Sequence, residues 1–169
     1  MRSSWTLLVT IGLVACGGGG GGGATVPPGA SAANLQLQPV TILAGQTIAD
    51  LTVSLERRSE PGPALLQGML SLPPELSLPA TERLAPATPM VTLDGNFVGS
   101  EFAVLCGDAS NQVAEPLPEG DLFRLRLMPT PPRRPGSYTV TFHDVRAATS
   151  AGGNVPLAVT TLTATVVIQ

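Results

Sequence analysis

Lysine is missing from this chain. All nine basic residues are arginine, which removes a phosphate-cradling P-loop lysine, a Schiff-base lysine and a lysine general base together. Histidine occurs once, as His143, too few for the orienting partners of a catalytic triad or for a histidine-rich metal site. Aromatic residues are 4% and charged residues 12% of the chain. A net charge of −3 provides no basic patch, so nucleic acid is excluded as a partner. The only basic pairs, Arg57-Arg58 and Arg133-Arg134, stand in proline-containing turns and read as solvated loop charge. The apolar stretch from Trp5 to Ala15 is about eleven residues long, where a permanent membrane helix needs about 20.

That stretch follows Arg2 and ends at Leu13-Val14-Ala15-Cys16. A basic start, a short apolar core and a small residue before a cysteine form a signal segment, and these residues resemble the lipobox of bacterial lipoproteins. The resemblance implies that Cys16 is acylated through its thiol with palmitate-type chains, becomes the first residue after cleavage, and makes membrane lipid a partner of the protein. It also implies a cell-envelope address. Gly17 after the cysteine favours the outer membrane, periplasmic or surface-facing, in hosts that sort lipoproteins as well-studied diderm bacteria do. With Cys16 lipidated, Cys106 has no partner for an intramolecular disulfide. It ends the apolar run Phe102-Ala103-Val104-Leu105 and reads as a buried, inert thiol. One histidine and one remaining cysteine cannot fill a structural zinc site.

Residues 1–15 are thus the signal, and residues 16–33 a tether. Gly17 to Gly23 is unbroken glycine, followed by Ala24-Thr25-Val26-Pro27-Pro28-Gly29. Such a chain has great backbone freedom and little to bury, and from Gly17 to Ser31 its r.m.s. reach is about 20 Å. The glycines do not form a phosphate loop, because no strand precedes them and no Lys-Ser/Thr helix follows.

Residues 34–169 change pattern. Short apolar runs of period two are cut by proline and glycine: Leu51, Val53 and Leu55; Leu70 and Leu72; Phe123, Leu125 and Leu127, with Arg124 and Arg126 opposite; Tyr138, Val140 and Phe142; Leu162, Ala164, Val166 and Ile168. Met90 to Leu93 and Phe97-Val98 flank Asp94-Gly95-Asn96, which has the composition of a hairpin turn. Apolar residues never recur at helical spacing over a full helix, and Thr81-Glu82-Arg83-Leu84 allows one helical turn at most. About eight or nine short strands, each with one apolar face, predict an all-β, two-sheet antiparallel sandwich.

Gly45-Gln46-Thr47, the strand ending Leu70-Ser71-Leu72-Pro73-Pro74-Glu75-Leu76, the run Glu119-Gly120-Asp121-Leu122-Phe123, and Pro135 to Phe142 resemble a cohesin-type module. The likeness spans about Leu35 to Gln169. It implies a jelly-roll sandwich and a non-enzymatic, protein-binding role, with a dockerin-like or envelope protein as the partner.

Three candidate sites remain. Asp108, Glu115, Glu119 and Asp121 gather along the loop 106–121, and a glycosidase needs two carboxylates. Clustered loop acids also read as solvated surface. Asp108, Asn111 and Asp121 could offer oxygens to calcium, although their spacing is not that of an EF-hand. His143-Asp144 could be imagined beside Ser137, but no nucleophile elbow is present, and His143 reads as surface. Tyr138 reads as core, so no exposed aromatic platform favours sugar.

No catalytic set and no cofactor site emerges. The leading expectation is a membrane-anchored binding or scaffold module, not an enzyme. The alternative is a surface hydrolase or carbohydrate-binding accessory subunit using the loop 106–121, and a purely structural envelope protein is a third reading.

Overall fold

A computed structural model of the chain describes residues 31–108 and 115–169. The signal segment, Cys16 and most of the tether therefore lie outside the described residues, as does Asn111.

Among the described residues twelve strands and no helix form. They are β1 (Ala33–Leu37), β2 (Val40–Ile42), β3 (Ala49–Arg57), β4 (Leu65–Ser71), β5 (Leu76–Ser77) and β6 (Leu84–Pro86). The second half holds β7 (Val91–Val98), β8 (Glu101–Asp108), β9 (Gly120–Pro129), β10 (Gly136–Ala148), β11 (Asn154–Val155) and β12 (Leu162–Ile168). One sheet runs β1-β3-β9-β5 with β6 also on β9; the other, longer sheet runs β2-β12-β10-β4-β8-β7 with β11 on β10. The all-β sandwich expected from the sequence is the observed fold.

Period-two alternation builds it. Leu51, Val53 and Leu55 of β3 and Leu125 and Leu127 of β9 face Val140 and Phe142 of β10, Leu66 and Leu70 of β4, and Phe102 and Val104 of β8. The rings of Phe123 and Phe142 meet edge to face, 6.4 Å between centroids. Burying each large apolar side chain contributes about 1.5–3 kcal/mol, and among the described residues no polar or charged residue is buried against that gain.

The structure departs from the sequence expectations in four places. The pairing is not wholly antiparallel: after Gln38-Pro39 the chain leaves β3 and changes sheet, so that β2 lies parallel to β12. Asp94-Gly95-Asn96 is not a turn. β7 runs straight through it, and the hairpin to β8 closes at Gly99-Ser100, where Gly99 takes φ +66°. Gly95 is instead a close-approach position, since a Cβ there would stand 2.6 Å from both Phe102 Cζ and Leu84 Cδ1. Thr81 to Leu84 holds no helical turn; Leu84 opens β6, paired with Leu125 of β9. Finally, a bulge between Val53 and Ser54 opposes Phe123 and Asp121, so Leu122 and Phe123 both turn inward and are fully buried.

Candidate functional site

The acids of the loop 106–121 that the structure describes stand on different elements. Asp108 ends β8 in the long sheet, where its carboxylate accepts from the Glu115 N–H at 3.2 Å. Asp121 stands on β9 in the other sheet, exposed and in register with Ser54. Glu119 accepts from the Arg57 backbone N–H at 3.1 Å. Among the described residues no three His, Cys, Asp or Glu side chains come together as a metal site.

Cys106 points inward, fully buried between the sheets. Burial pushes its thiol up to about 12, so it is a core side chain rather than a nucleophile. Tyr138 is only half-buried; its ring packs on the core and its hydroxyl donates to the Arg134 carbonyl at 2.9 Å.

The reading of the arginine pairs as solvated charge holds for Arg134; Arg58 is exposed but pairs with Glu56 at 3.4 Å, and the reading fails for the other two. Arg57 is half-buried beside Glu60 at 3.6 Å. Arg133 reaches back to the β2 end of the sandwich and donates to the carbonyls of Ile42, Leu43, Gln46 and Gln169. These partners lie far away in sequence, which is why composition and spacing could not find them.

His143 lies on the outer face as the alternation predicts, yet it is not simply solvated. Its Nε2 is 2.7 Å from Glu101 Oε1 on β8 and its Nδ1 is 3.1 Å from Asp144 Oδ2. The Glu101 hydrogen bond raises its pKa above the ordinary histidine value, with Asp144 adding to the effect and burial opposing it.

The two outer faces differ in character. That of the β1-β3-β9 sheet is polar: Asn34 and Glu56 bond across the strands at 3.3 Å, and Arg126 pairs with Asp50 at 3.7 Å and with Glu82. The long sheet instead exposes Leu65 (39%), Leu105 (40%) and Val98 (59%). Leu105 sits in register with Gln67 and Asp94, beside half-buried Met69 and Ala103. A hollow of about 450 Å³ opens at this face, lined in part by Ala64, Leu65, Thr92, Leu105, Gly107 and Thr149. A row of exposed leucines beside a concavity is the kind of surface that partner proteins cover. Nothing in the sequence pattern of β4 or β8 separates these outward leucines from the core residues one position away, Leu66 beside Leu65 and Val104 and Cys106 beside Leu105.

No protein-family model matches the sequence, and no curated protein matches it. Solved structures do. A non-cellulosomal cohesin from the hyperthermophilic archaeon Archaeoglobus fulgidus is 16% identical, covering 81% of this chain and 91% of its own, with a TM-score of 0.60. The cohesin of a type I cohesin–dockerin complex from Clostridium thermocellum is 15% identical, covering 83% and 97%, with a TM-score of 0.63. A cohesin module of a family 33 glycoside hydrolase from Clostridium perfringens is 8% identical, covering 83% and 100%, with a TM-score of 0.62. The chain has a cohesin-like β-sandwich fold.

Proposed function

We propose that the chain is a lipid-anchored, protein-binding module of a bacterial cell envelope, acting by surface complementarity rather than by turnover. The observation that carries the binding role is the contrast between the two outer faces. One carries cross-strand ion pairs and amides, while the long sheet presents Leu65 and Leu105 to solvent at a hollow, with Val98 exposed further along β7. Exposed apolar side chains gathered beside a concavity are the kind of surface that a partner covers. The similar fold of a Clostridium thermocellum cohesin found in complex with a dockerin supports a dockerin-like partner. The lipobox-like Leu13 to Cys16 and the glycine run behind it support the anchor.

Calorimetric titration of the chain with dockerin modules tests the binding role. Saturable binding that Leu105→Glu weakens at least about tenfold, with unfolding unchanged, is the expected result. No binding to any dockerin, or binding indifferent to Leu65→Glu and Leu105→Glu, removes the proposal.

A further inference from the structure

His143 is flanked by a carboxylate at each ring nitrogen, Glu101 at 2.7 Å and Asp144 at 3.1 Å. A neutral imidazole has one N–H and one lone pair, whereas a carboxylate offers only lone pairs. Both contacts are satisfied only by the imidazolium. The contacts also join separate strands: His143 belongs to β10, Glu101 to β8, and β4 with Met69 runs between them. Asp144 opens a bulge in β10, where the register with β4 breaks between His143 and Arg146, and it takes the left-handed φ of +52°. That conformation is uncommon for a residue with a Cβ and is held by its surroundings. Beyond the bulge, Arg146 stands in register with Gln67, which is in turn in register with Leu105.

We propose that Glu101, His143 and Asp144 form a pH-operated latch on the long sheet: the imidazolium ties the β10 bulge to β8, and its deprotonation releases Asp144 and resets the bulge that places Arg146 opposite Gln67, one strand away from Leu105. Asp144 is the contact that yields. Its distance is the longer, and its side chain is 74% exposed against 35% for Glu101, so water replaces it more readily. The charged groups around the ring are few. Glu101 faces it from β8, and Asp144 and Arg146 flank it on β10. Gln67, Met69 and Ser71 of β4 and Leu162 and Thr163 of β12 carry no titratable group. The raised His143 pKa agrees with this geometry. The latch's effect on binding rests on the docking role proposed above. Its titration is read on the free chain, so the two can fail separately.

His143 is the sole histidine, which makes the NMR titration of the full chain unambiguous. The ring should titrate above the ordinary histidine value, and Glu101→Gln should lower that midpoint by about one unit. The backbone amides of residues 144–146 should shift in step with the ring, and those shifts should vanish in His143→Gln. A midpoint at or below that of free histidine, a midpoint indifferent to Glu101→Gln, or bulge amides silent through the ring's titration would each overturn the latch.

Discussion

Arg133 Nη2 donates to the Leu43 carbonyl oxygen at 2.6 Å, across ninety residues of sequence. The same guanidinium reaches Ile42 at 3.0 Å, Gln46 at 2.7 Å and Gln169 at 3.1 Å. It thereby ties the loop before β10 to the end of β2 and the end of β12. A planar fork with donors on three nitrogens suits this work, and a single ammonium cannot reach the same set. Arg133→Lys should therefore destabilise almost as much as Arg133→Ala, by about 1–3 kcal/mol. The urea midpoint measures it, and a Lys variant as stable as the parent would show that charge alone suffices.

Gly68 lies under the ring of Phe142, where a Cβ would stand 2.6 Å from Cζ. Gly68→Ala must displace a fully buried ring in a close-packed core, at a cost of about 1–3 kcal/mol. Shrinking the ring with Phe142→Leu removes the clash. The double variant should consequently be more stable than the sum of the two single losses predicts, a coupling that thermal denaturation of all four proteins would reveal.

These two positions show what the sequence carried and what it hid. Alternation in β3, β9, β10 and β12 identified Leu51, Leu125, Phe142 and Val166 as core, because a strand with one buried face leaves a period of two. Gly95 misled for a physical reason: glycine serves both turns and close approaches, and only the position of Phe102 tells which applies. Leu122 escaped because a bulge breaks the period. The clamp of Arg133 and the pairing of His143 with Glu101 were illegible, since both join segments that meet only after the sheets form. Likewise Leu65 and Leu105 differ from core leucines only by the face on which the register sets them.

The His143 contacts make stability depend on pH in a definite direction. The folded pKa is raised over the unfolded value, so the stabilisation is fully present below the unfolded pKa and is lost as pH rises through the folded one. Between about pH 5.5 and about pH 8 the urea midpoint should fall. The fall should be smaller in Glu101→Gln. A midpoint that rises across this window would contradict the assignment.

Cys106 should be chemically silent in the folded protein. Burial pushes its thiol up to about 12, so at about pH 8 almost no thiolate exists and the sulfur is also shielded from reagents. A disulfide reagent such as dithionitrobenzoate should label it only after denaturation. Labelling of Cys106 in the native chain at the rate of a small free thiol would mean that β8 opens far more readily than its place between β4 and β7 implies.

The anchor is tested on the other cysteine. Cys16 follows Leu13-Val14-Ala15, and if it is acylated, the mature chain begins there and partitions with membranes. Cells fed labelled palmitate should transfer it to the parent protein and not to Cys16→Ser, which should accumulate as a slower-migrating, unprocessed form. Two acyl chains, at about 0.8 kcal/mol per buried methylene, are enough to make membrane attachment stable. The parent should accordingly stay with the membrane pellet in high salt, which would strip a module held only by charge. Palmitate incorporation that survives Cys16→Ser would place the lipid elsewhere, and a parent protein that washes off in salt would leave the module without an anchor.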